Sequence, residues 1–222
     1  MNTSAPDGFG KIVLVGVMGS GKSTVGRLLA HALGLGFIDT DAEVEAKARK
    51  SIAAIFKAEG ESRFREIERQ VVERVAAAAG QVLAVGGGSV EDNQSWEAMR
   101  KGAIVVWLNP PVEELVRRLA PNPAQLERLA QRPLLDDLAD VSALRQGMSG
   151  PAIQEFMSER WKKLAERLRA LHGARAFRYR EADIVVEPAF ETPEATVKTI
   201  VKLLLEKKRE SGGAASKEPA GQ

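Results

Sequence analysis

The chain has 222 residues, enough for one sizeable α/β domain, and its formal net charge of +2 comes from 32 basic and 30 acidic side chains. So even a balance, with 44% hydrophobic and 28% charged residues, describes a mixed surface and argues against a nucleic-acid-binding protein. The absence of cysteine excludes disulfides, thiol catalysis and cysteine-ligated zinc, and two histidines, His31 and His172, are too few for a histidine-rich metal site.

Residues 1–9 and 209–222 are rich in Gly, Ala, Ser and Pro and read as disordered tails around a single domain, 10–208. Met1–Gly10 lacks the basic flank and apolar core of a signal peptide, and no apolar run nears the roughly 18 residues that span a bilayer. A cytoplasmic protein without membrane contact is expected. Within the domain, Lys11–Val15 suits a buried strand and Lys22–Leu33 a helix. Gly36–Ile38 suits a second strand, Glu61–Ala78 a helix, and Val82–Val85 and Ala103–Leu108 further strands. Pro111–Leu119 reads as a helix and Asp183–Val186 as a fifth strand. In the closing helix, Val197, Ile200, Val201, Leu204 and Leu205 form one apolar stripe. Such alternation predicts a three-layer α/β/α domain around a parallel sheet, with ligands at the carboxyl ends of the strands. The stretch from about 120 to 178 breaks the rhythm. It offers Pro-containing loops and an amphipathic helix with Ile153, Phe156, Met157, Trp161, Leu164 and Leu168, which marks it as a lid with an insertion.

Gly16-Val17-Met18-Gly19-Ser20-Gly21-Lys22-Ser23 fits the phosphate-loop pattern G-x-x-x-x-G-K-[ST] in full, between an apolar strand and a helix. The glycines let backbone N–H groups turn inward on phosphate oxygens, and the helix that follows adds its positive end. Gly19, Ser20, Gly21, Lys22, Ser23 and Thr24 are therefore expected to bind ATP, with Lys22 reaching the β- and γ-phosphates and Ser23 ligating Mg²⁺. The guanine-reading N-K-x-D motif of GTPases is absent. The strand Val82–Val85 ends in glycines rather than in the acidic residue that often holds the metal, so that acid must come from elsewhere.

The second strand runs into Asp39-Thr40-Asp41, two carboxylates beside the phosphate loop. One can hold magnesium-bound water and the other can take a proton from an acceptor hydroxyl. Capping competes with that reading: Thr40 or Asp41 would be the N-cap of a helix beginning near Ala42, with Glu43 completing a box from Thr40. Arg65 and Glu68 are i, i+3 neighbours, so the glutamate can orient the guanidinium toward a substrate carboxylate, or both can belong to a solvated face. Gly86-Gly87-Gly88 costs conformational entropy and points to close backbone approach, with N–H groups open to a ligand.

Together these residues resemble the shikimate kinases, from about Lys11 to Leu135 and again near Arg175 to Leu205. The likeness is carried by Gly16–Thr24, Asp39-Thr40-Asp41, Phe64-Arg65 with Glu68, Gly86–Gly88 and Arg132-Pro133-Leu134-Leu135. The resemblance implies a fold like that of nucleoside monophosphate kinases, with a five-stranded parallel sheet, a substrate-binding helical segment and a lid. It implies transfer of the γ-phosphoryl group of ATP to the 3-hydroxyl of shikimate, on the route to chorismate, in a monomer whose partners are ATP and shikimate. Lys22, Asp41 and Arg132 would be catalytic, Asp41 as base and Arg132 on the lid reaching the transferring phosphate. Arg65 would grip the shikimate carboxylate, Gly86, Gly87 and Gly88 would line the pocket, Asp39 with Ser23 would hold the magnesium shell, and Arg118 would flank adenine.

The family usually carries a second carboxylate-binding arginine in an R-x-P-x-Y pattern. Here Arg175-Ala176-Phe177-Arg178-Tyr179 keeps the arginine and tyrosine but replaces the proline, and Arg160 and Arg167 are rivals for the role. The segment between Leu135 and Arg175 is longer than the family leads one to expect, and its loop Gly147–Pro151 could hinge an enlarged lid or an oligomer contact. Rival functions are a kinase for another polyol acid, a nucleotide kinase and a non-catalytic ATP-binding regulator.

Overall fold

The computed structural model describes residues 9–120, 122–145, 148–189 and 191–215. The tail residues 1–8 and 216–222, and Gly147 of the expected hinge, lie outside them. In chain order the elements are β1 (Lys11–Val15), α1 (Lys22–Leu33), β2 (Gly36–Asp39), α2 (Thr40–Ala48), α3 (Ile52–Ala76), β3 (Gln81–Ala84), α4 (Asn93–Arg100) and β4 (Ile104–Leu108). They continue with α5 (Val112–Leu119), α6 (Pro123–Leu126), two short 3₁₀ turns (Glu127–Gln131 and Asp136–Leu138), α7 (Ser142–Arg145), α8 (Gly150–Tyr179), β5 (Ile184–Val186) and α9 (Pro193–Ala215).

The five strands form one parallel sheet in the order β2-β3-β1-β4-β5. Every residue of β1 is buried, as expected of a central strand covered on both faces. Alternate residues of the strands enter two separate cores. Val13, Val15, Leu83 and Val105 meet α3, α4 and α8, whereas Ile12, Leu14, Val82 and Val106 meet α1 and α9. The polar exception, Lys11, donates to the carbonyls of Ala76 (2.7 Å) and Ala98 (3.3 Å), placing a cation near the ends of α3 and α4. Burial lowers its pKa.

Three expectations need correction. The helix expected over Glu61–Ala78 begins at Ile52 and is broken inside by Gly60, at φ 82° and ψ 172°, a conformation essentially confined to glycine. α9 runs to Ala215, so residues 209–215 are helical rather than tail. Phe9, assigned to the other tail, packs against the α1–α9 core.

The segment expected to form a lid packs into the main core. Leu126, Leu129, Leu135 and Leu138 share it with Met157, Leu164 and Leu168 of α8. Trp161 Nε1 donates to Ala120 O at 2.7 Å, and Arg167 binds Leu134 O (2.8 Å) and Asp137 (3.0 Å). Arg167 is thus committed to holding the lid onto α8, and Arg160 lies over the Phe156 ring. The exposed Phe177 has a clear consequence: α8 continues unbroken to Tyr179, whereas proline there would remove a helical hydrogen bond and clash with the preceding turn.

Candidate active site

The site lies at the carboxyl ends of β1, β2 and β3. After β1 the chain turns through Gly16 (φ 142°), Gly19 (φ 81°) and Gly21 (φ 97°). A Cβ on Gly16 would sit 2.4 Å from Leu108 O, so at that position both backbone angle and space require glycine. Gly21 caps α1 without a side-chain hydrogen bond, which leaves first-turn N–H groups for an anion. Lys22 Nζ folds back to Gly16 O (2.8 Å) and Val17 O (3.1 Å). Burial lowers its pKa to about 8, against the pull of Asp41 and Asp39. Gly19, Gly21, Lys22, Ser23 and Thr24 line one cavity with Asp39, Asp41, Arg118 and Arg132. Ser20 does not reach it: its hydroxyl is buried beneath Gly16 and has no hydrogen-bond partner among the described residues.

Arg118 is fixed by Glu114 (2.6 Å) and bridges Ser20 O (3.2 Å) to Pro188 O (3.3 Å). It thus stands between the phosphate loop and the segment after β5. Where β2 ends, Asp39, rather than Thr40 or Asp41, is the cap: its carboxylate accepts from Asp41 N at 3.1 Å and α2 begins at Thr40. Thr40 is buried, and its hydroxyl accepts from Gly86 N at 2.8 Å, locking the end of β2 to the glycine loop. Asp41 is left facing the cavity. Protein surrounds its carboxyl on most sides, although solvent reaches it through the mouth, and this desolvation pushes its pKa up to about 6 despite Lys22.

The three glycines after β3 serve close approach of side chains, and of their N–H groups that of Gly86 is already taken by Thr40. A Cβ on Gly86 would stand 2.6 Å from Asp41 Oδ1 and 2.8 Å from Glu68 Oε1. On Gly87 it would stand 3.0 Å from Arg175 Nη1, and on Gly88 2.0 Å from Arg65 Nη1. Four charged groups, Asp41, Glu68, Arg175 and Arg65, therefore converge on a ribbon of backbone. Arg65 is held by Glu68 (2.7 Å) and Glu61 (3.0 Å) and packs over Phe64. Of the three rival arginines, Arg175 is the one brought to the cleft.

These groups line a second cavity of about 170 Å³, walled by Ile52, Phe56 and Phe64 and roofed by Pro133 and Leu134 of the lid. Sequence reasoning missed that apolar wall. The signal was the i, i+4 pair Ile52 and Phe56 at the start of α3, hidden by Gly60. The two cavities share Met18, Asp41, Gly87 and Arg132, so a base candidate and a lid cation stand where one opens into the other. Ser23 and Asp39, both on the phosphate-loop side, offer only oxygen donors, which suits a hard cation that takes its other ligands from water and phosphates. Among the described residues no cluster of three or more His, Cys, Asp or Glu could hold a metal, and no helix is long and apolar enough to cross a membrane.

Comparison with known proteins identifies the family. A family model described as shikimate kinase matches residues 18–204. The chain is 37% identical over 194 residues to a shikimate kinase of Synechococcus elongatus, covering 87% of this chain and 85% of that one. It is 48% identical over 134 residues to a shikimate kinase of Symbiobacterium thermophilum, covering 60% and 74%. Among solved structures, a shikimate kinase from Acinetobacter baumannii in complex with shikimate superposes with a TM-score of 0.72 at 32% identity, covering 90% of this chain and 95% of that one. The shikimate kinase of Aquifex aeolicus gives 0.65 at 28% identity, covering 89% and 98%.

Proposed function

The chain belongs to the shikimate kinase family, and from that premise we propose which of its residues carry the reaction. The enzyme transfers the γ-phosphoryl group of ATP to the 3-hydroxyl of shikimate, giving shikimate 3-phosphate and ADP. The observation that carries the assignment is the meeting of the two cavities at Asp41, Gly87 and Arg132. Phosphates occupy the phosphate-loop side, under the N–H groups of Gly19 and of Gly21 to Thr24, with Arg118 beside adenine; the expected role of Ser20 is not kept, because its N–H is turned to Val17 O at 3.2 Å. Shikimate occupies the other side, its carboxylate between Arg65 and Arg175, its ring against Phe56 and Phe64, and its hydroxyls on Asp41 beside Gly86–Gly88. As the new O–P bond forms, the hydroxyl proton passes to the Asp41 carboxylate, and the electrons of the breaking bond remain on the bridging oxygen of ADP. Lys22 and Arg132 supply positive charge where it accumulates on the phosphoryl oxygens. Mg²⁺, held by the Ser23 hydroxyl and the Asp39 carboxylate together with the phosphates, would neutralise phosphate charge. In this reading the protein is a single-domain cytoplasmic monomer acting on two small molecules, without nucleic-acid or membrane partners.

Coupled ADP release with ATP, Mg²⁺ and a panel of shikimate, quinate, gluconate and nucleoside monophosphates tests the substrate. Stimulation is expected with shikimate, and its absence would overturn the assignment.

The shifted groups set a pH dependence. Asp41 must be ionised to act as base, which favours pH above about 6, and Lys22 must be protonated, which favours pH below about 8. With both substrates far below KM, so that the free enzyme is reported, the rate should rise through about 6 and fall above about 8. A profile flat from 5 to 9 would remove both assignments.

A further inference from the structure

We propose that Glu91 is a positioning residue that aims the Arg175 guanidinium at the acceptor's carboxylate; the inference rests on the reading of Arg175 as an acceptor ligand. Arg175 is buried at 2% exposure, and its Nε donates to Glu91 Oε1 at 2.6 Å. The two residues are 84 positions apart, Glu91 in the turn after β3 and Arg175 near the end of α8. Engagement at Nε fixes the plane of the guanidinium, and the Tyr179 hydroxyl also interacts with this group. The terminal Nη1 lies against Gly87 on the cavity wall, where it can meet a second carboxylate.

The Glu91 side chain is half exposed, so it stays hydrated and charged at low cost while its buried partner is neutralised. Its backbone is itself fixed: Glu91 N donates to Gly88 O at 2.9 Å and Ser89 N to Gly86 O at 3.1 Å. The same turn governs the other arginine, because Ser89 Oγ donates to Glu68 Oε1 at 2.7 Å and Glu68 holds Arg65. Residues 86–91 thus form a bracket that sets both cationic jaws of the acceptor site, one directly and one through Glu68. The helical setting of Arg175 makes the outside contact useful. With Phe177 in place of a proline, the arginine projects from a continuous helix, and Glu91 ties that helix to the glycine loop.

The test is a double-mutant cycle of Glu91→Ala and Arg175→Ala, with KM for shikimate, KM for ATP and kcat measured for each variant. Glu91→Ala alone should raise the shikimate KM about tenfold, with ATP KM and kcat within about twofold of the parent, because a displaced guanidinium weakens binding of the acid and nothing else. Glu91→Gln, which keeps an acceptor oxygen, should recover part of that loss. In the Arg175→Ala background, Glu91→Ala should add nothing. An equal rise in both backgrounds, or a fall in KM on removing Glu91, would overturn the positioning role. A normal shikimate KM in Arg175→Ala would instead overturn the reading of Arg175 itself. If Glu91→Ala does not fold, the cycle is run with Glu91→Gln, where absence of coupling is equally fatal.

Discussion

Replacing Lys22 by alanine is expected to lower kcat by about 10³-fold or more, with the protein still folded. The ammonium is the phosphate-loop cation, lining the same cavity as Asp41 and Arg132, and charge builds on the phosphoryl oxygens in the transition state more than in bound ATP. A preorganised donor removed from such a site costs about 10²–10³-fold, and a full cation more. Lys22 also bonds Gly16 O and Val17 O, so some loosening of the loop adds to the loss. A second readout separates electrostatics from loop damage. Lys22 holds the Asp41 pKa down, so without it that pKa moves above its present value of about 6 and the acid limb of the residual activity shifts to higher pH. Turnover near the parent rate, with a circular dichroism melt like the parent's, would refute the role.

Arg65→Ala is expected to raise the shikimate KM about 10²-fold, equivalent to roughly 3 kcal/mol, while the ATP KM changes little. Two effects add. The substrate carboxylate loses a charge-assisted partner, and Glu68, whose side chain is only 5% exposed, keeps a negative charge without its cation. Gly88→Ala offers an independent route to the same defect. Its Cβ would fall 2.0 Å from Arg65 Nη1 and 2.6 Å from Cζ, so the guanidinium must leave its place although its charge survives. Both variants should show the defect in shikimate KM alone. A defect confined to ATP in either would mean that the arginine does not face the acceptor, and a silent Gly88→Ala would mean that the guanidinium lies elsewhere.

Much of the site was legible because it is local. The phosphate loop is one contiguous run whose glycines, lysine and serine each have a reason within eight residues of chain. Arg65 and Glu68 stand at helical spacing, so a pair was one of the two readings that α3 allowed, and the structure shows it at 2.7 Å. The five strands were visible as short apolar runs, with ends displaced by no more than a residue. Capping was local too, yet ambiguous: Asp39, Thr40 and Asp41 all make good caps, and the choice fell to Asp39 because Thr40 is drawn to Gly86 N on the neighbouring strand's loop.

The rest of the site depended on contacts between distant segments. The glycine triplet announced a close approach but not of what, because Asp41, Arg175 and Arg65 come to it from three different elements. Arg175 fitted the family pattern except at its proline, with Arg160 and Arg167 as rivals; packing gave Arg167 to Leu134 and Asp137 and Arg175 to the cleft. The phosphate loop, read first, was determined by the sequence itself, since a backbone anion nest requires particular residues at consecutive positions. Which acceptor faces it was decided by tertiary structure. A pocket for a small acid is made of side chains whose separation in space bears no relation to their separation in sequence, and burial and ion pairing choose among them only once the sheet has assembled.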